Sequence, residues 1–158
     1  MMTADQFRTK ENFRVLTTEA FDFVLHNELK RAVRSQNFLT LVHLQPSVRG
    51  VPGGSSDEPD VAIEDIARLI SRDVRETDLL AHTQKGRLSI VFLDADLPSS
   101  MAVIERLMSR LEHYEFSQPL VFDVGAACCP THGADVDTLR RAAESRPVHP
   151  RRGNASNA

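Results

Sequence analysis

The sequence predicts one domain of the α/β class, with an α+β mixed sheet covered by helices. Its 158 residues are about the length of one domain. Helix-like and strand-like patterns alternate along the chain, and a short polar stretch with a glycine joins two strand-like runs as a hairpin. The composition, with 41% apolar and 26% charged residues, is that of an ordinary folded protein. The net charge of −3 gives no overall positive field for nucleic acid.

The first half of the chain is predicted to form a helix, a strand and a second helix. Apolar residues recur at three- and four-residue steps over 18–35, which predicts an amphipathic helix. The nearly continuous apolar run 38–44 is typical of a strand covered on both faces. His43 interrupts it and is expected to be a satisfied buried histidine rather than a metal ligand. Turn-forming residues predict a loop over 46–59, and apolar spacing predicts a helix over 60–75.

The second half is predicted to form a hairpin, a helix, a strand and a last helix. The apolar segments 78–83 and 88–94 are the hairpin strands, separated by a polar stretch with one glycine. Apolar spacing after a proline predicts a helix over 98–113. A strand over 120–127 and a short helix over 135–144 complete the order.

The predicted domain covers residues 15–145, between a polar segment at 1–14 and a disordered tail at 146–158. The first segment has no apolar core of a signal peptide, and no apolar stretch of the chain reaches membrane-spanning length. The adjacent Cys128 and Cys129 are too few for a disulfide framework and are expected to be small core residues in a reducing compartment. We therefore expect a cytoplasmic protein that binds neither membrane nor nucleic acid.

Three segments together resemble a known family. Residues 74–81 lead into the turn of the hairpin, the run 84–88 follows Asp78 after five intervening residues, and 123–127 forms the late strand. In these segments the chain resembles the GGDEF domain of diguanylate cyclases, which join two GTP molecules into cyclic di-GMP; the family's signature Gly-Gly-Asp/Glu-Glu-Phe stands where this chain has 84–88. The resemblance implies a nucleotidyl-cyclase-like sandwich, with a central, mostly antiparallel sheet flanked by helices.

The positions that carry catalysis in this family are changed here. Its cyclases hold two divalent cations with carboxylates at the end of the first strand and in the signature turn. Those positions fall on Gln45, Gly86 and Arg87, so the carboxylates are replaced by an amide, a bare backbone and a cation. Asp60 stands at the family's guanine-binding aspartate, but one contact does not rebuild a site. The resemblance therefore implies a degenerate, catalytically inactive domain, with no catalytic residue, no metal and no cofactor.

A second site of the family is matched. Many members carry an Arg-x-x-Asp feedback site five residues before the signature, and this site binds cyclic di-GMP. Arg75 and Asp78 match its motif and spacing, and Arg106 stands where a further arginine often completes it. Arg31 matches an arginine that reaches a ligand held by a neighbouring protomer. A guanidinium can bond guanine O6 and N7 or a phosphate, and a carboxylate accepts from the guanine N–H groups. The resemblance thus implies a receptor for this bacterial second messenger, signalling to a partner protein or as a homodimer.

Structural explanations exist for the same residues. Arg75 suits the end of a helix, Asp78 can cap the turn into the next strand, and Arg106 can be a solvated residue of a helix face. The second hypothesis is accordingly a protein interaction or dimerisation scaffold that binds no nucleotide. An active cyclase is the third.

Overall fold

Helices pack against both faces of one sheet in the computed structural model, which describes residues 15–49, 59–84 and 86–148. The elements are α1 (Thr18–Ser35), β1 (Leu39–Val48), α2 (Pro59–Ser71), β2 (Leu79–Gln84), β3 (Arg87–Leu93), α3 (Leu97–His113), β4 (Leu120–Cys129), α4 (Val136–Ser145) and β5 (Pro147–Val148). None of the helices among these residues is both long and apolar enough to cross a membrane.

The sheet has the strand order β2-β3-β1-β4-β5, and every neighbouring pair of strands is antiparallel. A parallel bridge between Leu16 and Ala81 adds the segment before α1 to the outer edge of β2. The prediction of an α+β sandwich with a mostly antiparallel sheet is confirmed.

The central strand β1 is buried on both faces. Val42 and Leu44 belong to the core under α2 and α3, whereas Leu39 and Leu41 belong to the core under α1 and α4. Side chains alternate between the faces of a strand, so one strand supplies both cores. Each fully buried side chain of this size contributes about 1.5–3 kcal/mol to folding. The prediction of a strand covered on both faces is confirmed.

Local capping sets the helix ends. The Thr17 hydroxyl accepts the Ala20 N–H at 3.1 Å at the start of α1, and Gln36 ends the helix in the left-handed region at φ 58°. Asp96 and Asp135 cap α3 and α4 in the same way, through the N–H groups three residues on. The predicted bounds of α1 match the observed ones.

The predicted loop at 46–59 begins too early. β1 continues to Val48, because β4 pairs with it as far as that residue. Pro46 is tolerated there because β3 pairs with β1 only as far as Leu44, so the other side of Pro46 is a sheet edge. Residues 50–58 lie outside the described residues.

Two other boundaries also differ from the prediction. The tail was predicted from residue 146, but Pro147 and Val148 form β5 against Val124 and Gly125. Helix α2 ends at Ser71 rather than near 75. The prediction of core cysteines is confirmed, since Cys128 and Cys129 are buried and free.

Candidate functional site

The segment after α2 is tied to the end of β3 by one carboxylate. Asp78 accepts the backbone N–H groups of Arg75 at 3.0 Å and of Leu93 at 3.2 Å. It also accepts Arg75 Nη2 at 3.2 Å, and Arg75 Nη2 donates in addition to the Leu93 carbonyl. We call residues 75–78, with these bonds, the Arg75 turn.

The two charged residues of the Arg75 turn differ in accessibility. The Arg75 side chain is 58% exposed, whereas that of Asp78 is 2% exposed. The Arg75 side chain is therefore accessible to a ligand, while the oxygens of Asp78 are already bonded within the protein. These bonds are the ones expected if Asp78 caps the turn into the next strand, which is its structural explanation. The helix-end explanation of Arg75 is wrong, because α2 ends four residues earlier.

Arg106 of α3 contacts the segment that precedes the Arg75 turn. Its Nε is 3.7 Å from Oδ1 of Asp73, two residues before Arg75, and its side chain is 57% exposed. Asp73 also accepts Arg110 Nε at 2.7 Å and Nη2 at 3.2 Å. A groove of about 490 Å³ runs along these two arginines and Tyr114.

Asp73 and Arg110 were not identified from the sequence. The signal that was available is the four-residue spacing of Arg106 and Arg110, which places both guanidinium groups on one helix face within reach of a shared acid. Their common partner Asp73 lies in the turn after α2 and could not be found from spacing.

Arg31 is not brought to this site within one chain. It lies on α1, which packs on the opposite face of the sheet from α2 and α3. Its side chain is 69% exposed and lies 3.7 Å from Glu28 on the same helix. A role for Arg31 would require a second protomer, as the resemblance implies.

At the hairpin turn lie the three residues that the resemblance places at the family's metal-binding positions. The Gln45 side-chain amide donates to the Gly86 carbonyl at 3.1 Å, and Gly86 has φ 71°, which suits glycine. Arg87 Nη1 donates to Glu144 Oε2 of α4 at 3.2 Å. We call Gln45, Gly86 and Arg87 the hairpin-turn site. Asp60 lies in α2, but its side chain is outside the described residues.

The hairpin-turn site does not fit the two divalent cations that the resemblance implies for a cyclase. Such cations need anionic oxygen ligands, and here an amide and a guanidinium present N–H donors. A guanidinium about 4 Å from a divalent cation is repelled by several kcal/mol even at an effective dielectric near 20. Asp123 pairs with Gln45 across the sheet, but no three His, Cys, Asp or Glu of the described ranges could jointly hold a metal ion.

His43 is the buried polar group next to this site. It is 6% exposed, and its Nδ1 lies 3.0 Å from the Ser89 hydroxyl, which contacts the Thr83 hydroxyl at 2.9 Å. Burial, and next the positive charge of Arg87, lower the pKa of His43 from 6.5 to about 4, so the ring is neutral at pH 7. Its Nε2 has no partner among the described residues. The prediction of a buried histidine is confirmed, and its Nδ1 has the Ser89 hydroxyl as a hydrogen-bond partner.

Comparisons with known proteins identify the fold. No protein-family model matches the sequence, and no curated protein is significantly similar to it. A diguanylate cyclase from Thermotoga maritima superimposes with a TM-score of 0.72 at 15% identity, over 85% of this chain and 97% of that one. The GGDEF domain of FimX from Pseudomonas aeruginosa gives 0.71 at 18% identity, over 83% and 85%.

A third solved structure is of a microbial GGDEF domain in a novel interaction with cyclic di-GMP. It gives a TM-score of 0.61 at 17% identity, over 84% of each chain. Identities this low establish the fold alone. The chain therefore has the fold of GGDEF domains, as its motifs implied.

Proposed function

We propose that this chain is a catalytically inactive GGDEF-like domain that binds cyclic di-GMP and signals to a partner protein. The observation that carries the proposal is the exposed guanidinium of Arg75, fixed from behind by Asp78. A pre-positioned guanidinium loses little conformational freedom when it binds guanine or phosphate. A solved GGDEF domain that interacts with cyclic di-GMP supports the choice of ligand.

The contacts are assigned by exposure. Arg75 and Arg106 contact the ligand, because more than half of each side chain is exposed. Asp78 contacts the guanine edge only by giving up part of its own bonds, so its main effect is to hold Arg75. Arg31 contributes from a second protomer when the domain forms a homodimer.

Loss of catalysis is the other half of the proposal. Gln45 and Arg87 present donors where metal ligands are required, and the Arg87 cation is fixed by Glu144. We expect no cyclic di-GMP to form from GTP with magnesium or manganese. Chromatography of a long incubation at high protein concentration tests this, and product above an enzyme-free control would show an active cyclase.

Titration calorimetry with cyclic di-GMP and, separately, with GTP tests the receptor role. Arg75→Ala should weaken binding of cyclic di-GMP about ten- to a hundredfold, because one charge-assisted contact contributes about 1.5–3 kcal/mol. Arg106→Ala should matter less. Arg141→Ala removes an equal charge from an exposed position of α4 and serves as the matched control.

The alternative function is an interaction or dimerisation scaffold without nucleotide binding. It is favoured by the internal bonding of Asp78 and by the exposed Phe23 and Val33 of α1, at 64% and 50%. No heat with cyclic di-GMP at high micromolar concentration would leave this function in place of the receptor. Binding that survives Arg75→Ala and Arg106→Ala would mean that the ligand binds elsewhere.

A further inference from the structure

The outer face of α1 carries the most exposed large apolar side chain of the described residues, Phe23, at 64%. It lies on the side of the helix away from the sheet, because Phe21 and Leu25 on the opposite side are fully buried. A single exposed apolar residue is common on protein surfaces and indicates little by itself. The residues that surround Phe23 therefore decide whether this face is an interaction surface.

Four exposed residues of α1 follow one another at steps of four, seven and four positions, and they are Glu19, Phe23, Lys30 and Arg34. Each step is close to a whole number of turns of an α-helix, so the four side chains lie on one stripe along the helix. We call these four residues the α1 stripe.

The α1 stripe is acidic at its start and basic at its end. Within the ranges that the structure describes, the side chains of Glu19, Lys30 and Arg34 form no ion pair and no hydrogen bond. On the flank of the same helix, by contrast, Asp22 is bonded to Arg140 of α4. The helix dipole favours an acidic start and a basic end, but it requires neither the exposed phenylalanine nor a fixed spacing of the charges.

The order of residues along the α1 stripe is self-complementary. Glu19 and Arg34 are equally far in sequence from the midpoint between positions 26 and 27, and so are Phe23 and Lys30. When two copies of a helix pack antiparallel about a two-fold axis, positions equally far from the axis face each other. An axis at this midpoint sets Glu19 of each copy opposite Arg34 of the other. It also sets Phe23 opposite Lys30, whose methylene groups cover the ring and whose ammonium group is attracted to the ring face.

We propose that two copies of this chain associate through the α1 stripe, with the two α1 helices antiparallel. Charge complementarity favours a second copy in this orientation, because a parallel pair would set Glu19 against Glu19 and Arg34 against Arg34. One pair of helices buries less than the roughly 1,600 Å² of a standard interface, so the dimer should be weak, with a Kd on the order of 100 μM. The proposal does not rest on cyclic di-GMP binding, since α1 lies on the opposite face of the sheet from α2 and α3.

Sedimentation equilibrium of the full chain without nucleotide tests the association. Over protein concentrations from about 10 μM to about 1 mM we expect a monomer–dimer equilibrium, because mass action shifts it with concentration. Added salt should weaken the dimer. Phe23→Ala should weaken it about tenfold, because the ring is lost from both copies at once. A protein that stays monomeric over this range overturns the proposal, and so does a dimer that Phe23→Ala leaves unchanged.

Charge reversal tests the antiparallel pairing. Glu19→Arg sets arginine against arginine at both ends of the dimer, and Arg34→Glu sets glutamate against glutamate. Each variant should therefore dimerise about tenfold more weakly than the natural protein. The chain with both substitutions should recover the natural affinity. An equal mixture of the two single variants should form a heterodimer, because opposite charges face each other again at both ends.

Glu105→Arg is the matched control, since it reverses an exposed charge on α3 and should leave the dimer unchanged. Melting temperatures verify that every variant is folded. Arg75→Ala should not alter the dimer either, so a failure of the cyclic di-GMP proposal would not affect this result. A mixture of Glu19→Arg and Arg34→Glu chains that associates no better than either chain alone overturns the antiparallel pairing.

Discussion

The two ends of the β2–β3 hairpin are held in different ways. At the open end, the nearly inaccessible Asp78 binds two backbone N–H groups and the guanidinium of Arg75. At the turn end, Gln45 donates to the Gly86 carbonyl, and Arg87 is paired with the half-exposed Glu144 of α4. One end is a buried network centred on a carboxylate, and the other consists of single bonds near solvent.

This difference shows why agreement with a motif does not by itself indicate a binding site. An aspartate at position 78 is explained by the bonds that hold β3 to the Arg75 turn, whether or not a ligand binds. At the turn end, no comparable network is built around a carboxylate. Gln45 and Arg87 are bonded there to Gly86 and Glu144 instead. Stability and ligand binding must therefore be measured separately at the open end.

Asp78→Ala should have the largest effect. The substitution removes charge-assisted bonds and leaves the Leu93 N–H without its partner, so the free energy of unfolding should fall by about 3 kcal/mol. For a domain of this length the melting temperature would fall by about 10 °C. Chemical denaturation checks the value.

Thr77→Ala is the control for that change, because it alters an exposed neighbour in the same turn. Its effect should be within about 0.5 kcal/mol. If Asp78→Ala were as stable as the natural protein, the carboxylate would have no structural role and would be available for a ligand.

Acid should destabilise the turn end through His43. Its pKa is lowered in the folded state from 6.5 to about 4, so between these pH values the unfolded chain binds a proton that the folded protein does not. Stability should therefore decrease as the pH falls from 6.5 to 4, by up to about 3 kcal/mol. Urea denaturation at several pH values measures the slope.

His43→Gln should flatten this slope, and an unchanged slope would assign the effect to other groups. The helix-capping Asp96 and Asp135 also have lowered pKa values, through their hydrogen bonds with Ser99 and Thr138. The stability that these two carboxylates contribute is fully present above pH 3.8, the ordinary pKa of aspartate, and is lost as the pH falls below it. That pH range lies below the one in which His43 changes the stability.

What the sequence could predict depends on the range of the interactions. The bounds of α1 follow from apolar spacing, and the Thr17 hydroxyl that caps the helix lies next to it in the chain. The end of β1 was missed, since Pro46 and Ser47 suggest a turn and only pairing with β4 keeps them in the sheet. The pair Arg87–Glu144 spans 57 positions, and no local pattern indicates it.

In the candidate site, too, the short-range contacts could be predicted and the long-range contacts could not. Arg75 and Asp78 were found because both belong to one short motif, and their mutual contact follows from three-residue spacing. The bond from the Leu93 N–H to Asp78 joins residues 15 positions apart in the sequence. No local pattern indicates such a bond, so the structural role of the carboxylate could not be predicted. The partnership of Asp73 with Arg106 and Arg110 depends likewise on packing between helices.

The smallest expected effect concerns the pair Arg87–Glu144. A double-mutant cycle with Arg87→Met, Glu144→Gln and both together should give a coupling energy of about 0.5 kcal/mol, as for other ion pairs near solvent. The coupling is small because the Glu144 side chain is 42% exposed, so that water solvates and screens its charge. Added salt should reduce the coupling further. A coupling energy above about 2 kcal/mol, in the range of buried charge-assisted bonds, would contradict the comparison, because the turn end would then be held as firmly as the open end.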